Sequence, residues 1–227
     1  MRAVNHALLD GLVLPPGWIV EVGCGAGAFA ADLAGRYPGH GVVGVELNPL
    51  ALGALAAEPL DHPRLAFLQG DGHHLPMPDG ACRLVVALDV LDQQGLDPVR
   101  ALAEWRRVLT PGGWLLLRVS AYAWLHGPHD DAFGTARRYR AADLRRLLEE
   151  AGLTVVRLSH ANALLLPEIA VARFLQQWGL LSVQAELHMP ERLSQALAAC
   201  LRGEARWLRS HNLAIGSSIY AIAQRRE

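Results

Sequence analysis

The chain has 227 residues, of which 52% are hydrophobic and 19% are charged, and its mean hydropathy is +0.18. At roughly 150 residues per domain, this length fits one α/β domain with an insertion, and the composition excludes a chain that is mostly disordered. The formal net charge of −1 argues against the broad basic surface of a nucleic-acid-binding protein.

The cysteines and the apolar segments limit the cellular setting. Cys24, Cys82 and Cys200 are too few and too scattered for a disulfide framework or a zinc site, which favours a reducing compartment. Residues 1–14 lack the basic start and continuous apolar core of a signal peptide, and the most apolar window, residues 161–181, contains charged residues and a proline. We therefore expect a cytoplasmic protein with no membrane span and no nucleic-acid partner.

Short apolar segments rich in β-branched residues alternate with helical segments in the first half of the chain. Strands are predicted over residues 18–23, 41–47, 64–68, 83–88 and 114–119, and helices over residues 26–37, 49–57 and 98–109. Because continuously apolar strands are covered on both faces, the predicted fold class is α/β with a doubly wound, mostly parallel, Rossmann-like sheet. Ligands of such sheets bind at the carboxyl ends of the strands.

The alternation ends in the second half. Residues 120–140 form a polar, aromatic-rich loop, which is long enough to be functional. A helix over 142–151, strands over 154–158 and 218–223, and a largely helical segment between these strands are predicted. We expect one domain, residues 1–227, in which residues 160–215 are a helical insertion or cap. This insertion could cover a ligand pocket or join two subunits.

Charge is divided unevenly between the two halves. Residues 1–113 carry a net charge of −5, whereas residues 114–227 carry a net charge of +4, and every basic residue except histidine is arginine. Recognition of an anion is therefore expected in the second half.

A glycine-rich loop follows the first predicted strand. Residues 21–27 read Glu-Val-Gly-Cys-Gly-Ala-Gly, and a backbone without side chains can closely approach a ligand at the start of the next helix. Glu46 ends the second predicted strand, where its carboxylate can accept hydrogen bonds from ribose hydroxyls. The spacing up to Ala28 also satisfies the dinucleotide-binding pattern G-x-G-x-x-A, so the loop alone leaves the cofactor open.

Later motifs distinguish a dinucleotide from other nucleotide-like cofactors. Asp71-Gly72 follows the third predicted strand, Leu88-Asp89 ends the fourth, and residues 108–117 read Val-Leu-Thr-Pro-Gly-Gly-Trp-Leu-Leu-Leu. With the glycine loop, and in this order over residues 18–119, the chain resembles the class I S-adenosylmethionine-dependent methyltransferases of the bacterial, small-molecule type. The resemblance implies a seven-stranded sheet with an antiparallel last strand, and S-adenosyl-L-methionine as cofactor.

The resemblance also implies roles for individual residues. The glycine loop would lie near the methionine end of the cofactor, Glu46 on the ribose, Asp71 beside the adenine amine, and Asp89 near the methionine and the substrate. The implied cofactor-binding residues are Glu21, Gly23, Cys24, Gly25, Gly27, Glu46, Leu47, Asp71, Gly72, Leu88 and Asp89. Asp89 could instead cap the turn that follows its strand.

One departure affects the chemistry. Family members often have Glu-His after the fourth strand, where this chain has Asp92-Gln93. An acid–base role for that histidine therefore cannot be transferred to this chain.

Candidate catalytic residues come from the long loop. Transfer to a hydroxyl or amine requires removal of a proton, and histidine suits this task near neutral pH. We predict His129 as the base, oriented by Asp130, with His126 as the second choice. The alternatives are that His129 and Asp130 stabilise the loop by capping, or that these three residues bind a metal, which their spacing does not favour.

The same loop supplies candidate substrate contacts. Arginine side chains suit a carboxylate or a phosphate, and aromatic rings can stack on a planar substrate. The predicted contacts are Tyr122, Trp124, Arg137, Arg138 and Tyr139. The alternatives are ion pairs between the arginines and Asp130 or its acidic neighbours, and apolar packing of the aromatic rings within the loop.

These features favour methyl transfer to an oxygen or nitrogen atom of a small metabolite that can carry an acidic group. The chain would act as a monomer or a homodimer, without a metal. Two alternatives are a nicotinamide-dependent oxidoreductase and a cofactor-binding module without catalysis. The chain contains no lysine, so it lacks the Tyr-x-x-x-Lys pair of many such oxidoreductases.

Overall fold

A computed structural model describes residues 1–57, 62–178 and 191–226. The seven strands form one sheet in the order β3-β2-β1-β4-β5-β7-β6. They are β1 (Trp18–Val22), β2 (Gly41–Glu46), β3 (Leu65–Gln69), β4 (Cys82–Leu88), β5 (Leu109–Ser120), β6 (Leu153–Ala161) and β7 (Ser218–Arg225). The helices are α1 (Arg2–Leu9), α2 (Ala28–Arg36), α3 (Pro49–Ala57), α4 (Pro98–Val108), α5 (Pro128–Ala132), α6 (Ala141–Glu150), α7 (Leu166–Gln177) and α8 (Glu191–Trp207).

The first five strands run parallel, and β7 lies antiparallel between β5 and β6. This arrangement confirms the predicted fold class, including the antiparallel last strand. No helix within the described ranges is long and apolar enough to span a bilayer.

The central strands are buried on both faces of the sheet. In β4, Val85 and Ala87 enter one hydrophobic core, whereas Leu84 and Val86 enter the other. Buried residues of α4 and α6 belong to the first core, and buried residues of α1, α2 and α8 belong to the second. Because neither face meets solvent, these strands are continuously apolar in sequence.

Three elements differ from the prediction. β5 begins at Leu109 rather than near Trp114, because its first residue already pairs with Cys82 before a register shift. The Pro-Gly-Gly sequence of residues 111–113 therefore lies within the strand, although it reads as a turn. The short helix α5 forms inside the predicted loop, and α1 was not predicted because no side chain caps its start.

Candidate functional site

A cavity lies where the first four strands end. It has a volume of about 530 Å³, a size suited to a nucleotide-like ligand. The predicted cofactor residues that line it are Gly23, Glu46, Leu47, Asp71, Gly72, Leu88 and Asp89. Sequence reasoning did not predict Asn48, His73, Val90, Gln93, Gln94 and Leu96, which also line it.

The glycine loop reaches this cavity through Gly23, whereas the predicted cofactor residues Glu21, Cys24, Gly25 and Gly27 do not line it. Gly23, Gly25 and Gly27 all adopt the left-handed conformation, with φ of 68°, 52° and 70°. A Cβ atom at Gly25 would meet no atom within 4 Å, whereas one at Gly27 would lie 2.5 Å from the Phe67 ring. The absence of a side chain thus leaves space beside Gly25 and permits close packing at Gly27.

Glu46 joins this loop to the end of β2. Its Oε2 atom accepts a hydrogen bond from the Gly25 amide at 2.8 Å, and its Oε1 atom accepts one from the Asn48 amide at 2.9 Å. Both carboxylate oxygens retain further lone pairs for a ligand. Leu47 is 64% exposed and supplies an apolar wall.

Glu21 lies behind the loop, and its side chain is buried. Its Oε2 atom has no hydrogen-bond partner among the described residues. Burial raises the pKa of this carboxyl to about 8, although a backbone hydrogen bond from Ala30 opposes part of the shift. Glu21 is therefore mostly protonated at neutral pH, and a cationic group placed beside it would favour its ionised form. Cys24 is also buried in this loop.

A histidine connects the third strand to α4. The Nδ1 atom of His73 lies 2.7 Å from the Asp71 carboxylate, and its Nε2 atom accepts a hydrogen bond from the Asp97 amide at 2.8 Å. With Nε2 as an acceptor, Nδ1 is the ring nitrogen that can donate to Asp71. The His73 backbone amide lowers the pKa of Asp71 by hydrogen bonding to its carboxylate. Asp71, predicted to face the adenine, is thus held as an anion by a residue that was not predicted.

Asp89 is held by an ion pair at the end of β4. The Arg118 Nε atom donates to Asp89 Oδ1 at 2.7 Å, and a second guanidinium nitrogen contacts Oδ2. Asp89 has a left-handed backbone, with φ of 57°, and its own amide bonds to the Arg118 carbonyl. This carboxylate therefore has a strong partner in β5, in addition to its place at the cavity wall.

Asp92 and Gln93 lie in different environments: Asp92 is in the core, and Gln93 is at the cavity. Asp92 is fully buried, its Oδ2 atom accepts a hydrogen bond from the Ser120 amide at 2.8 Å, and burial raises its pKa. Its carbonyl accepts hydrogen bonds from the amides of Ala136 and Arg137. Gln93 lines the cavity and pairs with Thr135 in an isolated β-bridge. These contacts bring the loop of residues 121–139 beside the cavity.

The predicted catalytic residues do not line the cavity itself. Asp130 is buried, and its carboxylate accepts hydrogen bonds from the Gly127 amide at 2.9 Å and from the Arg138 Nη2 atom at 2.6 Å. Arg173 of α7 lies 3.7 Å from the same carboxylate. This geometry matches the two alternatives weighed above, in which Asp130 caps the loop and pairs with an arginine.

His129 and His126 lie on either side of Gly127. His129 stacks on Phe133 with ring centroids 4.4 Å apart, and partial burial, together with the charge of Arg173, lowers its pKa. His126 lies 3.3 Å from the Thr135 carbonyl and 3.8 Å from the Asp131 carboxylate. Within the described ranges, no three histidine, cysteine or acidic side chains are grouped as metal ligands.

The predicted substrate contacts occupy different environments. Tyr122 stacks on Trp124 and on His160, at centroid distances of 5.9 and 5.4 Å, so aromatic packing within the loop does occur. Tyr139 is buried and donates a hydrogen bond to the Leu91 carbonyl at 3.1 Å. Trp124 remains 60% exposed, and Arg137 is half-buried, so these two side chains keep accessible surface.

Comparisons with known proteins agree with this geometry. A family model described as "Methyltransferase domain" matches residues 20–117. The trans-aconitate 2-methyltransferase of Deinococcus radiodurans is 30% identical over 171 residues, covering 75% of this chain and 61% of that protein. The malonyl-(acyl-carrier protein) O-methyltransferase of Dechloromonas aromatica is 29% identical over 162 residues, covering 68% of this chain and 59% of that protein.

A solved structure extends the likeness to the whole fold. An S-adenosylmethionine-dependent methyltransferase from Mesorhizobium loti aligns with a TM-score of 0.62 over 98% of each chain, at 16% identity. At that identity the likeness concerns the fold alone. The chain spans 59% and 61% of the lengths of the two curated relatives named above.

Proposed function

We propose that this chain is a class I S-adenosylmethionine-dependent methyltransferase and that it methylates an oxygen or nitrogen atom of a small, acidic metabolite. The observation that carries this proposal is the cavity of about 530 Å³ at the strand ends, with Glu46 and Asp71 among its lining residues. These are the carboxylates that the sequence motifs associate with the ribose and the adenine.

The residues present fit this cofactor. When bound, S-adenosylmethionine supplies a methyl carbon that is activated by a positively charged sulfonium leaving group. We assign the free Oε2 atom of Glu21 and the glycine loop to the methionine end, since a buried acceptor without a partner suits an ammonium donor. Glu46 would accept hydrogen bonds from the ribose, and Leu47 and Leu88 would supply apolar walls.

The acceptor would lie between the cavity and the loop of residues 121–139. Gln93 supports this location because it lines the cavity and also pairs with Thr135 of the loop. We propose that residues 160–215 cap this side, since Arg173 of α7 approaches Asp130 of the loop. Residues 179–190 of this insertion lie outside the described residues.

Proton removal is assigned to His129, with His126 as the second candidate. The lowered pKa of His129 keeps its imidazole neutral near pH 7, so that it can accept a proton. Asp130 would act through loop geometry, because its carboxylate already binds Arg138. The protein would otherwise accelerate the reaction by holding the nucleophile in line and excluding water.

Two lines of support favour an acidic acceptor. The names of two relatives specify trans-aconitate and a malonyl group as their substrates. In this chain, Arg137 keeps accessible surface beside the loop, and Trp124 can stack on a planar group. Arg138, by contrast, forms an ion pair with Asp130 and would contribute to substrate binding only indirectly.

Binding and turnover test this function separately. Calorimetry is expected to show S-adenosylhomocysteine saturating one site per chain, and Gly25→Val is expected to abolish binding, because the new side chain would enter the space beside Gly25. Gly11→Val is the matched control, since Gly11 also has a positive φ, 91°, and a Cβ atom there also meets nothing within 4 Å, but Gly11 lies outside the glycine loop and does not line the cavity. The control variant is expected to bind normally.

A screen with a labelled methyl donor, weighted towards acidic metabolites, then tests transfer. Label in a carboxylic or phosphorylated metabolite supports the proposal. Preferential binding of a nicotinamide dinucleotide would instead favour an oxidoreductase. Cofactor binding without transfer to any acceptor would favour a non-catalytic module.

A further inference from the structure

A second cavity lies between α1 and the end of α8. Its volume is about 230 Å³. Its charged or titratable walls are His6, Arg202, Arg206 and Arg209, and its remaining walls are Ala3, Ala7 and Ala205. The alanines leave room between the two helices, and the long arginine side chains surround that room.

Two of the three arginines of this groove have no carboxylate partner among the described residues. Within the described part of the chain, Arg202 and Arg206 form no ion pair and no hydrogen bond through their side chains. Arg209 lies 3.1 Å from Asp10, but Asp10 also binds Arg36. Asp10 is therefore shared between Arg209 of the groove and Arg36 outside it.

The second nearby carboxylate is shared in the same way. Asp32 of α2 accepts hydrogen bonds from Arg2 and contacts His6 at 3.1 Å. The side chains in and beside the groove are therefore five arginines, namely Arg2, Arg36, Arg202, Arg206 and Arg209, and three carboxylates, namely Asp10, Asp32 and the buried Glu204 of α8, a formal excess of two positive charges. A groove with this excess attracts anions, whereas the protein as a whole has a net charge of −1.

The spacing of the arginines indicates the kind of anion. Arg202 and Arg206 are four residues apart on α8, so they occupy neighbouring positions on one face of the helix. Each guanidinium can bind one carboxylate or phosphate group through paired N–H donors. The small volume of the groove suits a compact ligand with two or more such groups rather than an extended polymer.

We propose that this groove binds a small multivalent oxyanion, with at least two phosphate or carboxylate groups, at a site separate from the cofactor cavity. Arg202 and Arg206 supply the principal contacts, and Arg209 with His6 completes the wall. The proposal does not depend on methyl transfer, because none of these residues lines the larger cavity.

The test uses the full chain and two probes, inorganic pyrophosphate and citrate, in calorimetry at fixed ionic strength. Saturable binding of either probe is expected, and the tighter of the two identifies a phosphate or a carboxylate source. Arg202→Ala combined with Arg206→Ala is expected to weaken binding at least about 10-fold, because two charge-assisted contacts are lost. Affinity for S-adenosylhomocysteine is expected to stay unchanged in this double variant.

Arg145→Ala combined with Arg146→Ala is the matched control. Both residues lie on the exposed surface of α6, and the double variant removes the same charge. Equal weakening in both double variants, absence of saturation, or displacement of the anion by S-adenosylhomocysteine would overturn the proposal. Tighter binding of a DNA duplex through the same arginines would also overturn it, since the surface would then serve a polymer.

Discussion

At the scale of single residues, Glu21 combines a buried carboxyl group with a position directly behind the glycine loop. Its pKa is raised to about 8, mainly by burial. A carboxyl group whose pKa is higher in the folded than in the unfolded state binds a proton more tightly when folded. Its contribution to stability is therefore fully present below the unfolded pKa of 4.5 and is lost as the pH rises through 8.

Glu21→Gln removes this titration and is expected to change the pH dependence of folding. Between pH 5 and pH 8, the free energy of unfolding of the unmodified protein is expected to fall relative to that of the variant by up to about 4 kcal/mol. Urea denaturation at both pH values measures the difference. Parallel pH dependence of the two proteins would show that Glu21 ionises normally in the folded state.

Single residues also show where sequence reasoning ended. The motif residues Glu46 and Asp71 could be placed at the site because they directly follow strands whose ends meet. Arg118 was missed because its partner, Asp89, lies 29 residues earlier, and nothing local to either residue indicates the pair. His73 was not predicted, since one of its two side-chain hydrogen bonds depends on the path of the chain as far as Asp97.

At the scale of elements, Asp130 ties α5 to its neighbours. Its carboxylate binds Arg138 and the Gly127 amide, and it lies near Arg173 of α7. Because Arg138 and Arg173 are also largely buried, loss of the negative charge would leave two guanidinium groups without an anion. The cluster therefore stabilises the loop and connects it to α7 of the insertion.

Asp130→Asn is expected to lower the free energy of unfolding by about 2–4 kcal/mol. Asp131→Asn is the matched control, because that carboxylate is 71% exposed and its removal is expected to cost less than about 0.5 kcal/mol. Chemical denaturation of both variants makes the comparison. If Asp130→Asn instead lowered turnover while stability stayed unchanged, the orienting role first predicted for Asp130 would be favoured.

Elements also differed in how well the sequence predicted them. The buried parallel strands were recognisable because a continuous apolar run is a property of the strand itself. The helix α1 was not recognisable from the sequence. It depends on burying Val4, Ala7 and Leu8 in a core that also contains Ala205 of α8, some 200 positions later. The start of β5 was missed because pairing with β4 overrides a turn-like Pro-Gly-Gly sequence.

At the scale of the whole molecule, stability is expected to be highest in the middle of the sheet. β1, β4 and β5 each have neighbours on both sides, and Val20, Val85 and Leu116 are fully buried. β3 lies at one edge, and Leu68 remains 40% exposed. Opening of the edge therefore exposes less apolar surface than opening of the centre.

Amide hydrogen exchange tests this gradient. The amides of the central strands are expected to exchange only through global unfolding, whereas those of β3 are expected to exchange at least about 10-fold faster through local opening. Mass spectrometry of peptides from β1 and β3 provides the measurement. Equal rates in the two strands would show that the sheet opens as one unit.

The position of β7 has a consequence for biosynthesis. Until residues 218–225 leave the ribosome, β5 and β6 have no partner between them, because β7 pairs with both. A nascent chain that already carries the complete glycine loop therefore still exposes two open strand edges, which invite contact with other chains. Synthesis of β7, rather than of the ligand-binding motifs, therefore completes the pairing of β5 and β6.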